Sequence, residues 1–345
     1  MTILVTGGAG YIGSHCSLTF LEAGHDIVVL DNLENSSTES LARVGALAGR
    51  SVTFEKADVR DTDRVERILR TYNCTAVIHF AGLKVMGDSL NHPLAYYDTN
   101  VAGSLSLLSA MSRSGIREII FSSTAAVYGE PRQLPVPEAH PRQPENPYGR
   151  SKLIVEEIIR DLCQSDSSWR AGILRYFNPV GAHASGLIGE NPLTPTNNLM
   201  PLLSAVAGGR AEKLKVFGND YDTPDGTGVR DYIHVVDLVE GHLRAYEALF
   251  GLEHSDNCFA VNLGTGTGYS VLQMVKAFER ASNKQIPYEI VGRRLGDVAA
   301  CYADTVAAEQ TLGWKARFGL EDMCADTWNW VCKNPRGYGG HKNAS

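Results

Sequence analysis

Short apolar runs alternate with longer segments in which apolar residues recur every three or four positions. The runs TILVT (2–6), DIVVLDN (26–32), SVTFEKAD (51–58), TAVIHFAG (75–82), REIIFSST (117–124) and RAGILRYFN (170–178) are rich in β-branched and aromatic residues, and they read as six strands. YIGSHCSLTFLEAG (11–24), closed by Gly24, and DTDRVERILRTY (61–72) read as helices between them. Strands that are apolar nearly throughout, each followed by a helix, predict a doubly wound parallel sheet covered on both faces, in the α/β class. Beyond about Phe177 the texture changes. PVGAHASGLIGENPLTPTNN (179–198) reads as one long loop. VFGNDYDTPDGTGVRDYIHVVDL (216–238) and YEIVGRRLGDVAACYAD (288–304) predict a second, smaller and more irregular α/β domain. The chain has no internal repeat.

The turn after the first strand carries Gly7, Gly10 and Gly13 and opens a helix. Glycines there permit a tight turn and a close approach of backbone, and the helix N-terminus offers free N–H groups and a positive dipole to a pyrophosphate. Asp31 ends the second strand about twenty residues on, as ribose recognition requires. A carboxylate at that place accepts from ribose hydroxyls and repels a 2′-phosphate, which selects NAD over NADP. The competing reading is a glycine-rich turn with no ligand. A second glycine run, NLGTGTGYS (262–270), lacks an apolar strand of comparable strength and has no partner acid, so it reads as a structural turn.

Composition narrows the classes. With 345 residues the chain has room for about two domains. Its net charge is −7 and no basic block occurs, which argues against a nucleic-acid partner. The start, MTILVTGGAG, has no basic n-region, and no apolar run approaches the roughly 18–20 residues of a membrane span. Seven cysteines stand singly, without CxxC spacing, so neither a disulfide framework nor a zinc site is expected and no metal is assigned. A cytoplasmic protein is the expectation.

NPYGRSK (146–152) sets Tyr148 and Lys152 four apart at a helix start, so both side chains reach one point in space. An ordinary aromatic–basic surface pair is the alternative. TGGAGYIG (6–13), HFAG (79–82), SST (122–124) and PYGRSK (147–152) together resemble the extended short-chain dehydrogenase/reductase family over almost the whole chain. The resemblance implies a Rossmann-type NAD domain over 1–177, with a return segment near 229–262, and a domain over 178–345 that binds substrate. It implies that Tyr148, Lys152 and Thr124 are catalytic. Removing a proton from a sugar hydroxyl needs a base poised near neutrality. Free tyrosine titrates near 10, and lowering it by about three units needs roughly 4 kcal/mol of preferential stabilisation, expected from Lys152 and a nicotinamide cation.

The same resemblance implies that NAD is lined by Gly7, Gly10, Tyr11, Ile12, Gly13, Asp31, Asn32, Asn35, Ser36, Asp58, Val59, Phe80, Ala81, Gly82, Lys84, Asn100, Ser122, Tyr148, Lys152, Tyr176 and Phe177. Thr99 stands where the family often has a second Asn before Asn100. His79 reads as a packed core histidine. LDNLENSS (30–37), VIHFAGLKVMGDS (77–89), RYFNPVGAH (175–183), NNLMP (197–201) and GRRLGDV (292–298) are similar to the branch that acts on UDP-hexoses. That branch implies inversion at sugar C4 by oxidation to a 4-keto sugar, rotation and re-reduction. Ala125 and Ala126 leave no extra acid beside Thr124, against a dehydratase. Another nucleotide-sugar oxidoreductase and a non-catalytic NAD-binding regulator remain as alternatives. The implied substrate side is Lys84, Thr124, Tyr148, Asn178, Asn198, Leu199, Val216, Phe217, Arg230, Tyr232, Arg294, Asp297 and Cys301. A small Cys301, where a bulky Tyr is common, implies room for UDP-GlcNAc and UDP-GalNAc; alternatively Cys301 only packs and Tyr302 fills the space. A homodimer through helices near 92–113 and 148–163 is also implied.

Overall fold

A computed structural model describes residues 1–193, 198–251, 257–294 and 296–341. Part of the loop expected over 179–198, and Leu295 within GRRLGDV, lie outside the described residues. The first half runs β1 (Thr2–Thr6), α1 (Tyr11–Glu22), β2 (Asp26–Asp31), α2 (Thr38–Ala48), β3 (Thr53–Lys56), α3 (Thr62–Thr71), β4 (Cys74–His79), α4 (Met86–Asn91), α5 (Pro93–Tyr96), a π-helical turn (Tyr97–Ala102), α6 (Gly103–Ser114), β5 (Glu118–Thr124), α7 (Pro147–Ser165) and β6 (Arg170–Tyr176). The second half runs β7 (Asn178–Val180), α8 (Leu199–Ala207), β8 (Leu214–Phe217), β9 (Val229–His234), α9 (Val235–Leu249), β10 (Cys258–Leu263), β11 (Gly268–Ser270), α10 (Val271–Ser282), β12 (Tyr288–Val291), β13 (Ala300–Cys301), α11 (Val306–Leu312) and α12 (Leu320–Lys333).

Seven strands form one parallel sheet in the order β10-β6-β5-β4-β1-β2-β3. The strand order reverses between β1 and β4, and the crevice beyond their C-terminal ends is where such sheets bind ligands. Phe20, Leu41 and Leu238, from α1, α2 and α9, cover one face. Ile68, Leu107 and Ile159, from α3, α6 and α7, cover the other. Each such aliphatic or aromatic side chain taken out of water contributes about 1.5–3 kcal/mol. Burial on both faces is why these strands carry no polar alternation. β10 comes from residues the sequence pattern did not mark as a strand of this sheet, and α9 packs beside α1.

The second half builds its own core from α8, α10, α12 and β8 around Leu203, Phe278 and Met323. β9 sits between β11 and β13 and also pairs with β7, so strands far apart in sequence meet at one edge. β12 pairs with β8 in parallel.

Candidate active site

The crevice begins where β1 stops. Gly7 takes φ 68° and its N–H donates to the Leu30 carbonyl at 2.8 Å. A Cβ at Gly7 would stand 2.8 Å from the Ala81 nitrogen, and one at Gly13 would stand 2.3 Å from the Gly7 carbonyl oxygen. The backbone of three elements is therefore packed as closely as glycine allows. Gly10 caps α1 without a side-chain acceptor, which leaves the N–H groups of the first turn, Tyr11 to Gly13, for an anion.

Asp31 is buried, and its carboxylate accepts from Ala9 N at 3.1 Å, Leu33 N at 2.9 Å and Ser36 Oγ at 2.8 Å. It is thus held rigidly at the end of β2. Asn32 donates to Asp58 at 3.2 Å, and the Arg60 guanidinium beside Asp58 holds that carboxyl well below the usual carboxylate range. Val59 is buried under α6, and Phe80, Ala81 and Gly82 follow β4 at the crevice floor. This donor set, with its glycine cradle and its fixed acid, fits a dinucleotide.

Some of the expected cofactor side chains are otherwise engaged. The Tyr11 hydroxyl donates to the Gly181 carbonyl at 2.6 Å, so its side chain ties α1 to the chain beyond β7. Lys84 pairs with Glu190 at 3.2 Å, and Asn35 accepts from Leu193 N at 3.2 Å. Tyr176 is buried with its hydroxyl on His242, and Phe177 is buried next to it in sequence.

The acid–base pair stands on α7. Asn146 caps that helix by accepting from Gly149 N at 2.8 Å, and Pro147 occupies its first position. One turn separates Tyr148 from Lys152. The Lys152 ammonium donates to the Ser122 carbonyl at 2.8 Å and lies 4.9 Å over the Phe121 ring. Burial lowers its pKa from 10.5 to about 8. Thr124 accepts from Ala126 N at 3.1 Å through its hydroxyl oxygen, and the same hydroxyl stands beside the Tyr148 phenol and favours its ionised form.

The direction of the Tyr148 shift differs from the expectation. Burial raises the phenol above its ordinary value, and the Thr124 hydrogen bond offsets part of that rise. Lys152 does not reverse it; its ammonium donates to the Ser122 carbonyl. Around the pair, Asn100 is buried on the π-helical turn. It donates to Ser151 Oγ at 2.9 Å and to the Leu83 carbonyl at 3.0 Å, and accepts from Leu83 N at 2.7 Å, so it binds the crevice floor to α7. His79 lies in the core between Thr6 (2.7 Å) and Ser104 (2.9 Å), and burial pushes it down to about 3.

Across the crevice the second half brings a second group together. Asp297 lies 2.9 Å from Arg294 and 3.9 Å from Arg230, and the Arg294 guanidinium sits 5.3 Å from the Phe217 ring centre. Asn178 opens β7 opposite Tyr232 of β9, and Asn198 caps α8 ahead of Leu199. Val216 and Tyr232 are both buried in the core of the second half. Cys301 is half-buried opposite Arg230 and packs on the cluster of Val127 and Phe177, beside Ala125. Burial pushes its thiol up to about 11. The Tyr302 ring turns instead onto Gly268, so it does not fill the space at Cys301.

The second glycine run needs a correction. It follows β10, a full strand of the main sheet, and an acid does meet it. Asp231 accepts from Thr265 N at 2.8 Å, Thr265 Oγ1 at 2.7 Å, Gly266 N at 3.0 Å and Ala303 N at 3.1 Å. The N–H groups that could cradle a phosphate are already used, which is why the turn is structural. Sequence reasoning also passed over Glu156, Arg175 and Ser123, which form a buried polar group directly behind the pair. Two charges inside the apolar patterns of α7 and β6 were the available signal.

A family model described as GDP-mannose 4,6 dehydratase matches residues 4–327. Human UDP-glucose 4-epimerase is 57% identical over 344 residues, 98% of each chain. The chain belongs to the UDP-glucose 4-epimerase family. The UDP-glucose 4-epimerase of Bacillus subtilis (strain 168) is 54% identical over 338 residues, 98% of this chain and 99% of that one. The crystal structure of the UDP-glucose 4-epimerase from Bifidobacterium longum, in complex with NAD+ and UDP, superimposes with a TM-score of 0.94. It is 49% identical and covers 98% of this chain and 100% of that one. After β5 this chain carries Ala125 and Ala126, with no carboxylate beside Thr124. Among the described residues no helix is long and apolar enough to cross a membrane, and no group of His, Cys, Asp or Glu could hold a metal ion.

Proposed function

We propose that this chain inverts C4 of UDP-hexoses, interconverting UDP-glucose and UDP-galactose, with Tyr148 as the acid–base residue. The observation that carries the reading is the meeting of Tyr148 with Thr124, and of Lys152 with Ser122, at the end of β5 beside the glycine cradle. Gly7 to Gly13, Asp31, Asn100 and their neighbours would hold NAD, which supplies a reversible acceptor for the C4 hydrogen. Tyr148 takes the proton of the 4-hydroxyl and later returns it to the 4-keto oxygen. Thr124 donates to that oxygen. Arg230 and Arg294 pair with the pyrophosphate, whose geometry suits guanidinium forks, and Asp297 accepts from the uridine ribose. Phe217 packs on uracil. With UDP held, the keto sugar turns about its link to the pyrophosphate and presents its other face. In this division of work residues 1–177, with 229–262, bind NAD and most of 178–345 binds the UDP-sugar. The protein works in the cytoplasm as a homodimer.

The sugar pocket extends to N-acetylated substrates. A small, half-buried Cys301 beside Ala125, with Tyr302 turned away, supports that width. Cys301→Tyr is expected to lower conversion of UDP-GalNAc by about a hundredfold, in the range one lost pocket volume can impose, with UDP-galactose conversion kept. Equal activity on both sugars in that variant would remove the argument. The test of the whole reading is to incubate the purified protein with UDP-galactose and separately with UDP-GalNAc, adding no NAD, and to quantify the C4 epimers. Conversion of both is expected. Conversion of neither, in protein shown to contain NAD, would overturn the epimerase.

A further inference from the structure

α7 meets the end of β5 through three residues placed one turn apart: Tyr148, Lys152 and Glu156. Tyr148 reaches Thr124, Lys152 reaches the Ser122 carbonyl at 2.8 Å, and Glu156 accepts from the Ser123 hydroxyl at 2.5 Å. Three consecutive residues of one strand thus receive three successive turns of one helix. Glu156 is fully buried, and so, nearly, is Arg175 on the adjoining strand β6, which stands opposite Ser123 in the sheet register. Arg175 grips the carboxylate with both arms, Nε at 3.0 Å from one oxygen and Nη2 at 2.7 Å from the other. Its remaining donor goes to Tyr128 Oη at 2.9 Å and the Glu138 carbonyl at 3.1 Å.

A buried ion pair of this kind is a poor source of stability. Desolvating the two charges offsets most of their attraction, and a well-packed apolar pair of equal volume is commonly as stable or more so. What the charges add is direction. A planar fork on a carboxylate, joined by a hydroxyl, allows one relative placement of helix and strand, whereas apolar contacts tolerate sliding. The placement matters because Tyr148 sits two turns along the same helix, and misplacement of a reacting group by about 1 Å can cost about a hundredfold in rate.

We propose that Glu156 is a positioning residue for the acid–base step: held by Arg175 and acting through Ser123, it sets the register of α7 against β5 so that Tyr148 meets Thr124 and Lys152 meets Ser122. The inference rests on the reading of Tyr148 as the acid–base residue.

Four variants test it in the full-length protein loaded with NAD: Ser123→Ala, Ser123→Thr, Glu156→Gln, and the double replacement Glu156→Met with Arg175→Leu. Ser123→Ala is expected to lower kcat about tenfold, and Glu156→Gln about a hundredfold, with KM for UDP-galactose and NAD content unchanged. The apolar double variant is expected to keep the melting temperature within a few degrees yet stay as slow as Glu156→Gln. Ser123→Thr, which keeps the hydroxyl, is expected to recover most of the rate lost in Ser123→Ala. Full activity in Ser123→Ala would overturn the proposal, as would an apolar double variant with both stability and kcat restored. A second readout does not use the reaction. The ionisation of Tyr148, followed by phenolate absorbance as the difference from a Tyr148→Phe protein, should move to higher pH in Ser123→Ala as the Thr124 hydrogen bond weakens. Tyr96, Tyr176 and Lys152 are the other titrating groups around it, and the subtraction leaves them in both traces. If the wild-type protein converts no UDP-sugar but this titration still moves, the epimerase reading fails and the positioning role stands. If conversion is normal and the titration does not move, the positioning role fails alone.

Discussion

Tyr148 is the proposed acid–base residue, and its surroundings in the polypeptide favour the protonated phenol. Desolvation penalises the phenolate, and a single hydroxyl from Thr124 cannot offset it. The additional pull toward the phenolate has to come from positive charge brought in with the cofactor. Tyr148→Phe is accordingly expected to lower kcat for UDP-galactose by about a thousandfold or more, the range for a lost general acid–base group, while NAD remains bound. Conversion within tenfold of wild type would assign the proton to another group. Lys152, pushed down to about 8 by burial, orders the Ser122 carbonyl as well as carrying charge. Neither role could be separated from the spacing of Tyr148 and Lys152 in the sequence, which records neighbours on a helix and not what they face.

Elements matter through close backbone approach. α1 is drawn onto β1 until Gly13 leaves no room for a methyl group beside the Gly7 carbonyl. Gly13→Ala must push the helix away from the strand, costing about 1–3 kcal/mol as overpacking usually does, and it moves the N–H groups of the proposed pyrophosphate site. The expected result is a lower melting temperature and loss of NAD on gel filtration; retention of stoichiometric NAD by this variant would count against the cradle. The six strands and the first glycine turn were legible because each is written in adjacent residues. The π-helical turn that aims Asn100 was not, since a one-residue widening of a helix leaves no hydrophobic period of its own.

At the scale of the whole molecule, burial lowers three histidines among the described residues: His15 and His79 to about 3 and His242 to about 4. Their folded values lie below the unfolded value of 6.5, so between about pH 4 and 6.5 the unfolded chain binds more protons. Stability from these groups is present above 6.5 and is lost as pH falls through that window, at up to about 1.4 kcal/mol per pH unit for each histidine. Melting temperature measured from pH 7 to 4.5 should fall steeply, and replacing His79 with Gln should flatten the slope; an unchanged slope in that variant would remove His79 from the account. The proposed homodimer has its own test. Met86, Leu90, Leu94, Leu105 and Ile154 are exposed on α4 to α7, Leu94 at 82%. Leu94→Asp is expected to give a monomer by analytical ultracentrifugation, and an unchanged sedimentation coefficient would place the interface elsewhere.

The sequence by itself determined the parallel α/β class, the dinucleotide cradle with its acid, and the Tyr148–Lys152 pair. All are set by residues within a few turns of one another, where hydrophobic period and glycine position act directly. Tertiary structure alone decided that β10 completes the main sheet, that Asp231 fills the second glycine turn, and that Arg230, Phe217, Arg294 and Asp297 share one wall. It also decided the direction of the Tyr148 shift and the pairing of Glu156 with Arg175. These depend on which distant surfaces exclude water from each other, and no local pattern encodes that exclusion.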